Sequence, residues 1–250
     1  MQYLYYVLLA IACYFIGNIS GARIVSKFKH KDVTKSGSGN PGTLNVWRTF
    51  GFWPGIMTFV LDMLKGLLPC LLAYFTFGYI GCEPEIALYV AGLSVVLGHV
   101  FPVIYKFKGG KGIATSIGIF LVANWWVALI VFVVMIVGML FIKYASIFTI
   151  GFVIAMSIVE ICLASPANWV NYIFISLILI LVMYAHRSNI VKLFTGKENK
   201  TELLAMLKKI TNKKKNSTNE NEDINNVSET GDQNQSNIMM EKDINSKINK

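Results

Sequence analysis

Three polar segments in an otherwise apolar chain of 250 residues hold side chains whose types and spacing suit chemistry on phosphates. The first runs Ser36-Gly37-Ser38-Gly39-Asn40-Pro41-Gly42-Thr43-Leu44-Asn45-Val46-Trp47-Arg48. Glycines alternating with small hydrogen-bonding residues let backbone N–H groups converge on an anion, and Arg48 adds a fork of donors that can grip two oxygens at once. The same letters also suit a plain turn, since Gly, Ser, Asn and Pro are the usual loop residues. This is not a nucleotide-binding P-loop, because no Lys followed by Ser or Thr comes after the last glycine.

The second segment, from Gly98 to Gly112, contains His99, Lys106, Lys108, Gly109, Gly110 and Lys111, with Thr115 and Ser116 a turn further on. Three lysines beside glycines and a starting helix offer positive charge and free N–H groups to an oxyanion. Lysines flanking a span and a glycine turn would account for much of this, but a histidine at a membrane boundary is an uncommon choice for structure alone. The third segment is His186-Arg187-Ser188-Asn189-Ile190, followed by Lys192 and Lys197-Glu198. By itself it is a basic flank. Its interest is the company: apart from His30, the histidines are His99 and His186, each close to the end of an apolar run and next to cations.

The rest of the reactive repertoire is thin. There is no GxSxG elbow, and none of the histidines is followed five positions later by the Asp of a His-x4-Asp acyltransferase motif. Cys13, Cys70, Cys82 and Cys162 are far apart and show no metal-ligand spacing, and the loops lack clustered carboxylates. No metal and no cofactor is expected. What remains is direct transfer between substrates, at least one phosphorylated and one lipid-like.

The elements that must hold these segments are membrane helices. The chain is 54% hydrophobic and only 15% charged, against about 25% charged for a soluble domain. Apolar runs cover residues 3–22, 54–77, 86–104, 113–142, 144–164 and 169–185, most of them near the roughly 20 residues that span a bilayer. The first Lys or Arg is Arg23, after the first run has ended. Residues 3–22 therefore read as a retained helix with its N-terminus outside, not as a cleavable signal.

The basic residues orient the rest. Arg23, Lys27, Lys29, Lys31, Lys35 and Arg48 lie between the first two spans, and Lys106, Lys108 and Lys111 follow the third, whereas Ile80–Pro84 and Ser165–Asn168 contain no cation. The run 113–142 is too long for one untilted crossing. One tilted helix would leave Arg187, Lys192, Lys197 and Lys200 outside; two crossings turning near Asn124, Trp125 and Trp126 return them to the cytoplasm and fit better.

The expected architecture is an all-α integral membrane protein with seven transmembrane helices, N-terminus outside and C-terminus cytoplasmic. Residues 1–200 form the membrane domain, with cytoplasmic loops at about 34–50, 98–116 and 186–198. Residues 201–250 turn abruptly polar and read as a disordered tail. Leu203, Leu204, Met206, Leu207 and Ile210 could form a short amphipathic turn on the membrane there. Within span two, Asp62 and Lys65 share a helix face and can pair, for structure or for catalysis. Glu160 in span six should face the bundle interior.

The segments SGSGNPGTLNVWRTFG, GHVFPVIYKFKGGKGIATSIG and HRSNIVKLFTG, in that order, resemble the three cytoplasmic motifs of the bacterial acyl-phosphate:glycerol-3-phosphate acyltransferases, the PlsY family. The likeness spans residues 3–200 and includes Asp62, Lys65 and Gly66. One stretch departs from it: the family usually reads Gly-Ala-Thr-Asn where this chain has Gly42-Thr43-Leu44-Asn45. The resemblance implies a seven-helix enzyme of the bacterial inner membrane. Such an enzyme transfers a fatty acyl group from acyl phosphate to the 1-hydroxyl of glycerol 3-phosphate, giving lysophosphatidic acid and phosphate. It implies that Ser38, Asn40, Asn45, Arg48 and Lys111 hold phosphates, with Gly39, Gly109, Gly110 and Gly112 permitting close approach. Lys106, Lys108, His186 and Asn189 would position glycerol 3-phosphate. His99 would orient substrate or stabilise charge developing on the acyl carbonyl oxygen, and a substrate phosphate could take the hydroxyl proton.

Two other classes fit basic loops on an apolar body. A transporter or channel for a phosphorylated metabolite needs a continuous polar path, and spans one, three, five and seven carry almost no polar side chains at mid-depth. A lipid-binding scaffold would leave all three segments replaceable. The formal charge of +9 comes entirely from residues 1–200, since residues 201–250 are neutral overall. Nucleic acid is therefore not an expected partner; the cations sit at helix ends, where they orient the bundle and face phosphorylated substrates.

Overall fold

The computed structural model describes residues 2–164 and 168–201. Apart from Thr201, the expected disordered tail and its amphipathic turn lie outside the described residues, as does most of the Ser165–Asn168 turn. Among the described residues every regular element is helical: α1 Gln2–Gly17, α2 Gly21–Phe28, α3 Thr43–Phe50, α4 Phe52–Tyr79, α5 Pro84–Val100, α6 Ile113–Ala123, α7 Trp125–Phe141, α8 Ala145–Leu163, α9 Trp169–Ala185 and α10 Arg187–Phe194, with 3-10 turns at Val33–Lys35 and Val103–Tyr105.

Helix α5 is the axis of the bundle. It packs against α1, α4, α6 and α9, and its buried residues, from Ala87 to Val100, fall on every side of the helix. Two crossings bring backbones into direct contact. A Cβ on Gly17 would lie 2.2 Å from the Val95 carbonyl oxygen, and one on Gly98 would lie 2.0 Å from that of Tyr14. The α4–α6 crossing repeats the device, with Gly66 against the Thr115 carbonyl and Gly118 against the Met63 carbonyl, 2.2 Å each. In lipid, where no hydrophobic drive pushes helices together, such close approach is what dispersion forces require.

The outer surface is apolar. Leu4, Val7, Leu8, Ile11 and Phe15 on α1 and Leu129, Ile130, Val133, Val134 and Phe141 on α7 are all exposed. Water would penalise such a surface and hydrocarbon does not. Four helical stretches are long and apolar enough to cross a bilayer: Gln2–Phe28 taken through the α1–α2 break, Phe52–Tyr79, Pro84–Tyr105 and Ala145–Leu163. The pair α9 and α10, bent by 58°, makes a fifth if it is taken as one span.

The run 113–142 is broken where the sequence reading placed the turn, with Asn124 ending α6 and Trp125 opening α7. However, α6 has only 11 residues, about 16 Å at 1.5 Å per residue, and α7 has 17. By length and composition the structure therefore yields fewer full spans than the seven expected. The cysteines behave as small buried or surface side chains, all four unpaired.

The expected Asp62–Lys65 pair is present, Nζ to Oδ1 2.9 Å, with both side chains buried. It has a visible structural use. The Gly21 N–H donates to Asp62 Oδ1 at 3.1 Å and the Lys65 ammonium donates to the Ile19 carbonyl at 2.5 Å. The ion pair thus satisfies the backbone groups freed where α1 breaks into α2. Glu160 faces inward as expected and accepts a hydrogen bond from the Tyr89 hydroxyl at 2.8 Å.

Candidate active site

The first polar loop is folded around two anchors. Val33 is fully buried in a small apolar cluster with Ala22, Val25 and Val46, and its N–H donates to Ser26 Oγ. Asn45, also buried, accepts from the Ser38 N–H at 3.0 Å and donates through Nδ2 to the carbonyls of Val33 and Ser36, both at 3.0 Å. Both amide hydrogens of Asn45 are thus committed to the loop. Sequence reasoning gave this side chain to a phosphate; the structure uses it to hold Ser38 and the left-handed Gly37 and Gly39 in place. Ser38 itself is exposed, and Asn40 is half-buried.

The second loop is tied to the end of α1. Tyr14 donates to the Phe101 carbonyl, and the Ile104 N–H donates to Asn18 Oδ1. Arg23 lies over the Tyr105 ring at 4.1 Å and donates to the Lys108 carbonyl. Lys106 and Lys108 are exposed on this side of the loop. Among the described residues, no hydrogen bond or ion pair joins either of them to Arg48 or Lys111.

Gly109 and Gly110 fold down on His99. The Gly110 N–H donates to the His99 carbonyl at 3.1 Å. A Cβ on Gly109 would lie 2.0 Å from that oxygen, and one on Gly110 would lie 2.3 Å from His99 Nε2 and 3.2 Å from the Pro41 carbonyl of the first loop. These two glycines therefore meet a need of loop packing, beside the close approach of phosphate that the resemblance implies for them. His99 is buried, with Nδ1 3.8 Å from Asp62 Oδ1. Its ring sits between the α4 ion pair and the glycine loop. Gly112, at φ +85°, turns the chain into the first turn of α6.

Parts of all three segments meet around Lys111. Arg48 donates to the hydroxyl of Thr201, and the Thr201 N–H donates to the Lys143 carbonyl, so the chain after α10 folds back toward α3 and the start of α8. Ser146, in the first turn of α8, donates to Glu198 Oε1 at 2.7 Å. Asn189 Nδ2 donates to the same oxygen at 2.7 Å and to Ser146 Oγ at 3.0 Å. Lys111 lies in electrostatic range of Glu198, Lys192, Arg48 and His186. Burial, partly opposed by Glu198 and reinforced by Lys192 and Arg48, pulls the Lys111 ammonium down to about 8 from its ordinary value of 10.5.

His186 is buried just past α9, its Nδ1 2.9 Å from the Val182 carbonyl. With the proton on Nδ1, that contact is a hydrogen bond and Nε2 is left as an acceptor.

Arg48, Lys111, His186 and Asn189 are thus gathered in one place. Two members of the group were missed. Ser146 is one hydroxyl in an apolar run, with no spacing to mark it. Glu198 was visible only as part of a basic flank.

A multi-pass helical bundle with an apolar girdle, glycine-seated crossings and a polar group at one end defines an integral membrane protein. A sequence model of the family described as glycerol-3-phosphate acyltransferase matches residues 7–196. The chain is 40% identical over 201 residues to a glycerol-3-phosphate acyltransferase of Finegoldia magna, covering 80% of this chain and 98% of that one. It is 36% identical over 201 residues to the one from Clostridioides difficile, with 80% and 97% covered. The crystal structure of PlsY, an integral membrane glycerol 3-phosphate acyltransferase, in its glycerol 3-phosphate form superposes with a TM-score of 0.72 at 36% identity, covering 81% of this chain and 98% of that chain. The lysophosphatidic acid form gives 0.71 at the same identity. The chain belongs to the glycerol-3-phosphate acyltransferase family and is an acyltransferase of that kind.

Proposed function

We propose that the protein transfers a fatty acyl group from acyl phosphate to the 1-hydroxyl of glycerol 3-phosphate, releasing phosphate and lysophosphatidic acid. The observation that carries this reading is the meeting of Arg48, Lys111, His186 and Asn189, drawn from three separate segments, at one end of the bundle. Cations of this kind bind phosphate oxygens, and the solved relatives are described as glycerol 3-phosphate and lysophosphatidic acid forms.

In the reaction the 1-hydroxyl oxygen attacks the acyl carbon and the bond from that carbon to the phosphate oxygen breaks. The electron pair leaves on phosphate, and the hydroxyl proton passes to a phosphate oxygen. Arg48 and Lys111 hold the phosphate of glycerol 3-phosphate, and the loop held by Asn45 presents Ser38 and the Gly39 backbone to the phosphate that leaves, where charge gathers. His186 and Asn189 position the acceptor. Neither metal nor cofactor enters. The exposed Lys106 and Lys108 draw anionic substrate toward the loops. His99 acts from beneath Gly110 by fixing the glycine loop that leads to Lys111.

The topology that goes with this reading has seven crossings, with α6 and α7 returning the chain across the bilayer. The three loops then face the cytoplasm of a bacterial inner membrane. The distribution of basic residues supports that orientation.

Purified protein in detergent, given palmitoyl phosphate and glycerol 3-phosphate, should form lysophosphatidic acid detectable by mass spectrometry. It should form none when palmitoyl-CoA replaces the acyl phosphate. No product from acyl phosphate, or equal product from the thioester, overturns the reading.

A further inference from the structure

Glu198 is the one carboxylate in the group around Lys111 among the described residues, and its two oxygens differ. Oε1 is saturated by Ser146 and Asn189, 2.7 Å each. Oε2 is buried and has no hydrogen-bond partner among the described residues. A bare buried carboxylate oxygen is costly, and one that persists calls for a donor supplied from elsewhere. If the carboxylate merely pinned the chain after α10, Oε1 would suffice.

The surroundings restrict what that donor can be. Arg48 and Lys111 are in electrostatic range of Glu198, yet neither closes on it to ion-pair distance among the described residues. They remain available to an anion. With Lys192 the group holds three cations and one carboxylate, a net of two positive charges that matches a phosphate dianion. The phosphate itself cannot serve Oε2, since it brings acceptors and like charge. A hydroxyl on the same molecule can. In glycerol 3-phosphate the hydroxyl nearer the phosphate is the one on C2, so phosphate held by Arg48 and Lys111 carries that hydroxyl toward their neighbour Glu198.

We infer that Glu198 is a specificity-determining residue for the acceptor, its Oε2 accepting a hydrogen bond from the 2-hydroxyl of glycerol 3-phosphate. The inference rests on the acyl-transfer reading above. Glu198 thereby distinguishes a glycerol phosphate from phosphorylated alcohols that offer a primary hydroxyl alone. An unmet buried carboxylate is a strong means of rejecting the analogue that lacks the group it was built to bind.

The test compares glycerol 3-phosphate with 3-hydroxypropyl phosphate, which keeps the phosphate and the primary hydroxyl and lacks the hydroxyl on C2. The wild-type chain should prefer glycerol 3-phosphate in kcat/KM by roughly 10- to 100-fold, the range of one hydrogen bond to a charged group. Glu198→Ala should erase most of that preference by losing rate on glycerol 3-phosphate. Glu198→Gln keeps an acceptor for Ser146 and Asn189 and should erase part of it. Equal losses on both acceptors, gains on both, or no preference in the wild type each overturn the inference. Should the alanine variant fail to accumulate, an unchanged preference in Glu198→Gln overturns it alone. Failure of the wild type to acylate either acceptor sinks the acyl-transfer reading instead, before any variant is made.

Discussion

Gly110 covers His99: its N–H donates to the His99 carbonyl at 3.1 Å, and a Cβ there would stand 2.3 Å from the imidazole Nε2. The ring cannot swing away freely, because it is buried against the Asp62–Lys65 pair. At Gly109 the obstacle is backbone, with the His99 and Val100 carbonyls at 2.0 and 2.6 Å from the added atom.

Gly109→Ala should therefore be the worse of two damaging changes. We expect about 1–3 kcal/mol of destabilisation from overpacking at Gly110 and more at Gly109. Gly196→Ala, with nothing within 4 Å of its Cβ and only a left-handed φ of +67° to resist it, should cost about 1 kcal/mol or less. Thermal unfolding of the three variants in detergent checks the order.

Arg48→Ala and Lys111→Ala should each lower kcat/KM for glycerol 3-phosphate about 100-fold, the scale for losing a charge-assisted hydrogen bond to a bound phosphate. Arg48→Lys should recover only part, since an ammonium cannot grip two oxygens in a plane. Near-normal acyl transfer in both alanine variants would remove the phosphate site from this place.

The Lys111 ammonium, held near 8 by burial, is charged below that pH and neutral above it. The unliganded protein thus loses a phosphate-binding cation as pH rises. We expect kcat/KM for glycerol 3-phosphate to fall above about pH 8, by up to about tenfold per unit. Lys111→Arg keeps its charge throughout, so it should flatten that limb. A limb that survives in the arginine variant must belong to another group.

Removing Asp62 alone strands a buried ammonium and the Gly21 N–H. Asp62→Ala should cost about 3–5 kcal/mol, and the double replacement Asp62→Leu with Lys65→Leu should cost less than that single change. A double-mutant cycle on unfolding temperature reads the difference.

Much of this site was legible because its parts are long polar stretches interrupting apolar helices. The three loops, the Asp62–Lys65 pair, the inward Glu160 and the break at Asn124 all leave local marks in composition or helical spacing. Ser146 and Glu198 leave none. Each gains its place from the fold, one as a lone hydroxyl opening α8 and the other on the segment after α10 that doubles back. Asn45 was recognised as polar and near the site, but its three hydrogen bonds within the loop depend on where Val33 is buried. Span counting is harder for a similar reason: hydropathy measures how apolar a run is, and the 11 residues of α6 are fewer than the roughly 20 by which a span is recognised.

The glycine-seated crossings bear on how mutational maps of this protein are read. At Gly17, Gly66, Gly98 and Gly118 the neighbouring atom is a carbonyl oxygen about 2 Å from any added carbon, so every other amino acid meets the same wall. A saturation library scored by cell growth would rank these four as intolerant as Arg48, though they lie in the frame and touch no substrate in our reading. Scoring the same library for protein retained in the membrane separates the two kinds of intolerance: the glycine variants vanish from the membrane, while the arginine variants stay and do nothing.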